Sequence, residues 1–285
     1  MIGAIIGDIA GSSYEFHNKR DKNVELFPKG SKFTDDTVMT LAIFKALKES
    51  KSLKTKNVDM NEVYQNAVKF MREYGRNYIN CGFGGMFKKW VLSETPIPYG
   101  SFGNGSAMRV SAVPYFARNL EEVKKLSYAV TTPTHNSDEG ILGAEAVAVA
   151  VYLAKTGKNK QEIKEYLQEN YYNLDFDYEI LKEENKFNAT CQGSVPQALY
   201  CFLISDGFED CLRTTISIGG DTDTLCAISC AIAGEYYKVP NNLWKEAGLF
   251  LDEDLYNDAN DFLLRQNGFV DYRNRDWQIE YDLIE

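Results

Sequence analysis

Apolar residues recur at helical spacing along most of this chain and almost nowhere alternate as they would in strands. After Asp36, the residues Val38, Leu41, Ala42 and Lys45 sit at i, i+3, i+4 and i+7, and Ile43, Ala46 and Leu47 widen the stripe. Val63, Ala67, Phe70 and Met71 repeat the pattern over 61–72. The stretch 138–155 is rich in Ala, Leu and Val, with Gly157 as a stop. Ser194 followed by Pro196 reads as a cap and first turn, opening a helix through Ile204. A further helix spans 223–237 and stops near Pro240. No Asn-Gly or Asp-Gly turn sits between β-branched runs, so hairpins are not expected. The pattern predicts an all-α fold in a single domain over 1–285, with polar surface excursions at 50–60 and 170–188 and no internal repeat.

A chain of 285 residues, 44% hydrophobic and 25% charged, is long enough to bury a large core. Its formal net charge of −10 disfavours long-range attraction to a nucleic-acid backbone. Cys81, Cys191, Cys201, Cys211, Cys226 and Cys230 show no two-residue gap of a zinc knuckle or redox dithiol, and read as small thiols in a reducing compartment. The apolar start, Met1 to Asp8, is short, lacks a basic flank and is interrupted by Asp8; it reads as neither a signal peptide nor a membrane span. A cytoplasmic protein is expected. Gly3, Gly7 and Gly11 lie four apart, a smooth stripe on a helix that suits close backbone packing or ligand contact.

Two clusters carry the chemistry. Thr34-Asp35-Asp36-Thr37 stands where a helix begins, and so does Gly219-Gly220-Asp221-Thr222-Asp223-Thr224. One Thr or Asp at such a place caps free N–H groups and answers the helix dipole. Two acidic pairs exceed what capping needs. The second helix is lined with Cys226, Ala227, Ser229, Cys230, Ala231, Ala233 and Gly234, small residues that mark close packing near the core. If the two helix starts face each other, four carboxylates converge, and like charges 4 Å apart cost about 4 kcal/mol at an effective dielectric of 20. Either protons or cations must hold them. Hard oxygen ligands suit Mg²⁺ or Mn²⁺, and the presence of only two histidines, His17 and His135, agrees.

Two loops could hold a substrate. Residues 99–109 (Tyr-Gly-Ser-Phe-Gly-Asn-Gly-Ser-Ala-Met-Arg) carry three glycines whose N–H groups could form an anion nest, with Phe102 placed to stack on a flat base. Arg109 reads as a structural ion pair. In 131–140, Asn136 or Ser137 caps the following helix, and His135 is a candidate phosphate or ribose contact.

Gly7-Asp8 with Gly11 and Glu15, Thr34 to Thr37, Gly103 to Arg109 and Gly219 to Thr224 occur in that order. Together they resemble the ADP-ribosylglycohydrolase family over residues 3 to about 240. The resemblance implies an orthogonal helical bundle and a centre of two divalent cations, Mg²⁺ or Mn²⁺. It implies that Thr34, Asp35, Asp36, Asp221, Asp223 and Thr224 are metal ligands, and that Glu15 lies on a mobile loop that closes over the metals. Ser101, Gly103, Asn104 and the neighbouring Gly105 would hold a diphosphate, Phe102 would face adenine and His135 would reach the diphosphate or distal ribose. One departure is His135-Asn136-Ser137-Asp138, where many bacterial relatives continue His-Asn-His-Pro. The family includes members without catalysis, but all the metal positions are intact here.

The expected activity is metal-dependent hydrolysis of the glycosidic bond between ADP-ribose and an acceptor, a protein side chain or a small molecule. Glu15 and Asp35 are the candidate catalytic residues. A metal-dependent phosphohydrolase and a non-catalytic ADP-ribose reader are the rivals. No membrane or nucleic-acid partner is expected, and a monomer is favoured because no long heptad seam appears.

Overall fold

The computed structural model describes residues 1–266, so the last part of the domain expected over 1–285 lies outside the described residues. The helices are α1 (Ile2–Ser12), α2 (Asp35–Glu49), α3 (Met60–Asn77), α4 (Gly85–Leu92), α5 (Leu120–Thr131), α6 (Asp138–Lys155), α7 (Lys160–Asn170), α8 (Tyr178–Glu184), α9 (Cys191–Ile204), α10 (Phe208–Ile218), α11 (Thr222–Tyr236), α12 (Asn241–Gly248) and α13 (Glu253–Gln266). Among the described residues no strand forms; Gly103 and Thr190 make one isolated antiparallel bridge. The all-α reading holds. No helix of the described residues is long and apolar enough to cross a membrane.

α1 and α11 are the axis of the fold. Every residue of α1 from Ile2 to Gly11 is buried, and so is α11 from Thr222 to Gly234. A helix apolar on all sides belongs in the centre, with α2, α6, α9 and α10 packed around this pair. The glycine stripe faces α11. A Cβ on Gly3, Gly7 or Gly11 would stand 2.0, 2.2 or 2.4 Å from the carbonyl oxygens of Cys230, Cys226 and Thr222. As one series rises the other falls, so the helices run antiparallel with their backbones in contact. The Thr222 hydroxyl adds a bond to Gly11 O at 2.9 Å. Close packing, and not ligand contact, explains the stripe. Gly7→Ala is expected to cost about 1–3 kcal/mol or more, since the new carbon meets backbone that cannot rotate away. Urea denaturation measures this, and an unchanged midpoint would refute the close contact.

The structure departs from the sequence reading at α3, which runs past 72 to Asn77, at α9 and at 170–188. α9 starts at Cys191, capped by Thr190, whose hydroxyl accepts from Gly193 N at 3.1 Å. Ser194 is therefore inside the helix; its hydroxyl is drawn off to Asn188 O at 2.5 Å, and Pro196 falls beyond the first turn. The excursion at 170–188 contains α8, capped by Asp177, and buries Leu174 and Leu181. The excursion at 50–60 holds only a short 3₁₀ turn, Lys51–Lys54, before α3 begins.

Candidate metal centre and substrate cleft

Antiparallel packing places the C-terminal end of α1 beside the N-terminal end of α11. Asp8 then brings in α2. It is fully buried in an otherwise apolar helix, and its carboxylate accepts from Thr34 N (2.9 Å), Thr34 Oγ1 (2.7 Å), Thr37 N (3.0 Å) and Thr37 Oγ1 (2.5 Å). These bonds satisfy free donors of the first turn of α2. Sequence reasoning gave Asp8 no role of its own, although a single acid within an apolar helix was the available signal.

The two helix starts do face each other. Carboxylate oxygens of Asp8, Asp36 and Asp223 lie within 4.8 Å of one another, as do those of Glu15, Asp221 and Asp223. Asp223 belongs to both groups. Thr34 caps α2 by accepting from Asp36 N, and Thr224 Oγ1 stands 3.3 Å from Asp36 Oδ2. Asp35 falls in neither triad. Its Oδ1 lies where a Cβ on Gly82 would be 2.6 Å away, and Gly82 has φ +125°, so only glycine fits this rim.

Electrostatics follow from crowding in a buried place. Desolvation, then Asp223 and Asp8, raises the Asp35 pKa to about 8. Desolvation and the neighbouring carboxylates push Asp36 and Asp223 well above the usual range. Asp221 rises to about 6 through desolvation, partly offset by its bonds to Asp223 and Asn104. Glu15 is half-buried, and desolvation with Asp223 raises it to about 7.

Do these residues suit divalent cations? Asp36 Oδ1 is buried with no hydrogen-bond partner among the described residues. Carboxylate and hydroxyl oxygens are hard donors, and neither triad contains His or Cys. An unpartnered buried oxygen within a crowd of acids calls for positive charge, so the donor set fits.

Glu15 is held by its own segment. Asn18 Oδ1 accepts from Gly220 N at 2.9 Å, and Asn18 Nδ2 donates to Gly220 O at 3.2 Å. Gly219 (φ +66°) and Gly220 (φ +92°) make the turn into Asp221, and a Cβ on Gly219 would meet Asn18 Oδ1 at 2.8 Å. Arg20 donates to the carbonyls of Lys182, Asn185 and Ile218. Exposed Phe16 stacks on exposed Phe187, ring centroids 6.1 Å apart. Gly219 and Gly220 belong to the cluster read from sequence; Asn18, Arg20, Phe16 and Phe187 were not singled out there.

The substrate loop departs from expectation in three respects. Its N–H groups are mostly spent within the protein: Gly100 on Asn136 Oδ1, Ser101 on Thr134 O, Gly103 on Ser101 Oγ and Asn104 on Ala189 O. An open nest built from these donors does not form. Asn104 is buried, and its Nδ2 donates to Asp221 Oδ2 (2.7 Å) and Ser194 Oγ (3.0 Å). Both amide hydrogens are thus committed, and Asn104 tethers the acid cluster instead of offering that amide to a diphosphate. Arg109 forms no ion pair among the described residues. Its buried guanidinium bonds Thr134 Oγ1 at 2.8 Å and the carbonyls of Val130 and Thr131 that end α5, and burial lowers its pKa to about 10.

The two loops touch, with Ser137 Oγ donating to Ser101 O at 2.7 Å. Phe102 is 51% exposed, leaving a ring face open to a base. Ser137 caps α6, accepting from Gly140 N at 3.1 Å. His135 is buried, with Nδ1 2.7 Å from Thr134 Oγ1, and a Cβ on Gly105 would be 3.5 Å from its Nε2. Desolvation and Arg109 hold His135 well below the usual histidine range, so the ring is neutral.

Known proteins resemble this chain. The profile of the ADP-ribosylglycohydrolase family matches residues 1–268. ADP-ribosylhydrolase ARH3 of Homo sapiens is 28% identical, covering 87% of each chain. The ADP-ribosyl-dinitrogen reductase glycohydrolase of Rhodospirillum rubrum is 24% identical over 84% of each. A solved chain described as an ADP-ribosylglycohydrolase-related protein complex has the same fold, with a TM-score of 0.62 and 21% identity over 90% of this chain and 94% of the other. A match of that extent assigns the chain to the ADP-ribosylglycohydrolase family.

Proposed function

We propose that this protein hydrolyses the glycosidic bond between ADP-ribose and an acceptor, with Mg²⁺ or Mn²⁺ held by the acid cluster. The observation that carries the reading is the pair of carboxylate triads sharing Asp223, all buried except the half-buried Glu15. Asp36, Asp221 and Asp223, with Asp35, Thr34 and Thr224 beside them, would hold two cations, and Glu15 stands next to them. When bound, the cations supply the positive charge that keeps the carboxylates ionised and polarises water.

The chain's own residues do the rest. Phe102 offers its exposed ring to the adenine, and the loop 101–105 with His135 receives the diphosphate. That places the distal ribose over the carboxylates. As the bond from the anomeric carbon to the acceptor breaks, its electron pair leaves with the acceptor and positive charge grows on the sugar. The negative cluster stabilises that charge where it develops. Glu15, with a pKa of about 7, takes a proton from the attacking water and can return it to the leaving acceptor. Six free cysteines, five of them buried, support a reducing compartment, and we place the protein in the cytoplasm.

Glu15→Gln is expected to lower kcat about 10²- to 10⁴-fold, the usual worth of a positioned acid–base group, with little change in KM. Retained kcat would remove the proton role from Glu15. The function itself is tested by incubating arginine-linked and serine-linked ADP-ribosyl peptides with Mg²⁺, Mn²⁺ or chelator and following the product. Metal-dependent release of free ADP-ribose is expected. Release of AMP or phosphate would point to a phosphohydrolase, and tight ADP-ribose binding without turnover to a reader.

A further inference from the structure

The loop 101–105 backs onto a buried polar chain that the metal cluster does not use. Arg109 donates to Thr134 Oγ1 at 2.8 Å, and that oxygen lies 2.7 Å from His135 Nδ1. All three side chains are buried. Donor accounting fixes the direction of these bonds. A guanidinium has no acceptor, so at the first contact the threonine oxygen accepts. The oxygen could accept from both groups, but the buried hydroxyl hydrogen has no other acceptor among the described residues, so every group is satisfied only when Nδ1 accepts it. A neutral imidazole that accepts at Nδ1 carries its hydrogen on Nε2. That nitrogen faces the loop floor, where a Cβ on Gly103 or Gly105 would be 3.6 or 3.5 Å away. Since the N–H groups of Gly100, Ser101, Gly103 and Asn104 are spent elsewhere, the loop needs a donor.

We propose that Arg109 and Thr134 are positioning residues that lock His135 into its Nε2–H form, aimed at the loop 101–105 as a hydrogen-bond donor to an anionic oxygen of the substrate. The substrate half of this inference rests on the function proposed above; the relay itself does not. Bare glycines at 103 and 105 keep Nε2 within reach of the cleft, and the positive charge of Arg109, passed through one hydroxyl, sharpens the donor without placing a cation in the cleft.

Imidazole ¹⁵N–¹H correlation spectra test it directly. With His17→Gln as background, His135 gives the only histidine signals. Hydrogen on Nε2 and a bare Nδ1 are expected at neutral pH. Thr134→Val, close to Thr in shape, should lose this single form and weaken ADP-ribose binding about tenfold, the loss of one hydrogen bond to a charged group. Thr134→Ser should restore both. Melting curves show whether the Val variant remains folded. Hydrogen on Nδ1 in the parent overturns the relay and leaves the proposed function untouched. Unchanged ADP-ribose affinity in Thr134→Val overturns the donor role. A parent with the Nε2–H form that binds no ADP-ribose overturns the substrate reading, and with it the donor role.

Discussion

Asp223→Asn should abolish turnover and yet raise the melting temperature of the metal-free protein. Asp223 is the one side chain common to both triads, and it is buried among acids. In the proposed centre it would have no substitute as a cation ligand, and loss of about 10³-fold or more in kcat is expected, as for other groups that stabilise transition-state charge. Without metal the same carboxylate is a liability, because desolvation and its acidic neighbours oppose its ionisation. Asn keeps the shape and removes the charge. A gain of about 1–2 kcal/mol corresponds to roughly 2–4 °C per kcal/mol in a protein of this size. Thermal melts with chelator and ADP-ribose release with Mg²⁺ read the two effects separately. A variant that is active, or that melts lower without metal, would contradict the role assigned to Asp223.

Metal affinity should climb with pH between 6 and 8, and each bound ion should expel protons. Asp35, Glu15 and Asp221 have pKa values of about 8, 7 and 6, and Asp36 and Asp223 are raised further in direction. At neutral pH several are therefore protonated, and cations must displace those protons. The apparent affinity gains about tenfold per pH unit for each proton released. Titration calorimetry in buffers of different ionisation enthalpy counts them. The stability of the metal-free protein must run the other way. These folded-state pKa values lie above the unfolded values near 4, so the contribution is full below that value. It is lost as pH rises through about 6 to 8, at about 1.4 kcal/mol per unit for each fully buried group. Saturating Mg²⁺ should flatten the slope. A metal-free protein equally stable at pH 5 and pH 8 would show that the cluster ionises without cost.

The sequence carried the class of fold and the two ends of the site, because each is a local signal. Period 3.6 announces α2, α3, α6 and α11, and acids packed at a helix start announce Asp36, Asp221 and Asp223. What it did not carry is pairwise and distant. Asn104 looked like a loop amide free for ligand, but its partner Asp221 is 117 positions away. Asn18 seats into the turn at Gly220, 202 positions away, and nothing near either residue advertises the match. The start of α9 was misread because Ser194 and Pro196 form a better local cap signal than Thr190; the Ser194 hydroxyl instead donates to Asn188 O and accepts from Asn104 Nδ2. Arg109 was expected to find a carboxylate, whereas the carbonyls that end α5 and Thr134 supply its negative partners.

The contact between α1 and α11 has a consequence for how the chain comes to be folded. The bond from Thr222 to Gly11 spans 211 positions. At the usual 5–20 residues per second, roughly 10–40 s separate the synthesis of these two partners. Throughout that interval α1, with Ile2, Ile5, Ile6 and Ile9 all destined for burial, can have α2 beside it but not the α11 face that covers most of it. The nascent chain therefore carries a partly uncovered apolar helix until most of its length has left the ribosome. Chaperone supply during translation, more than the stability of the finished protein, should govern how much of it is recovered.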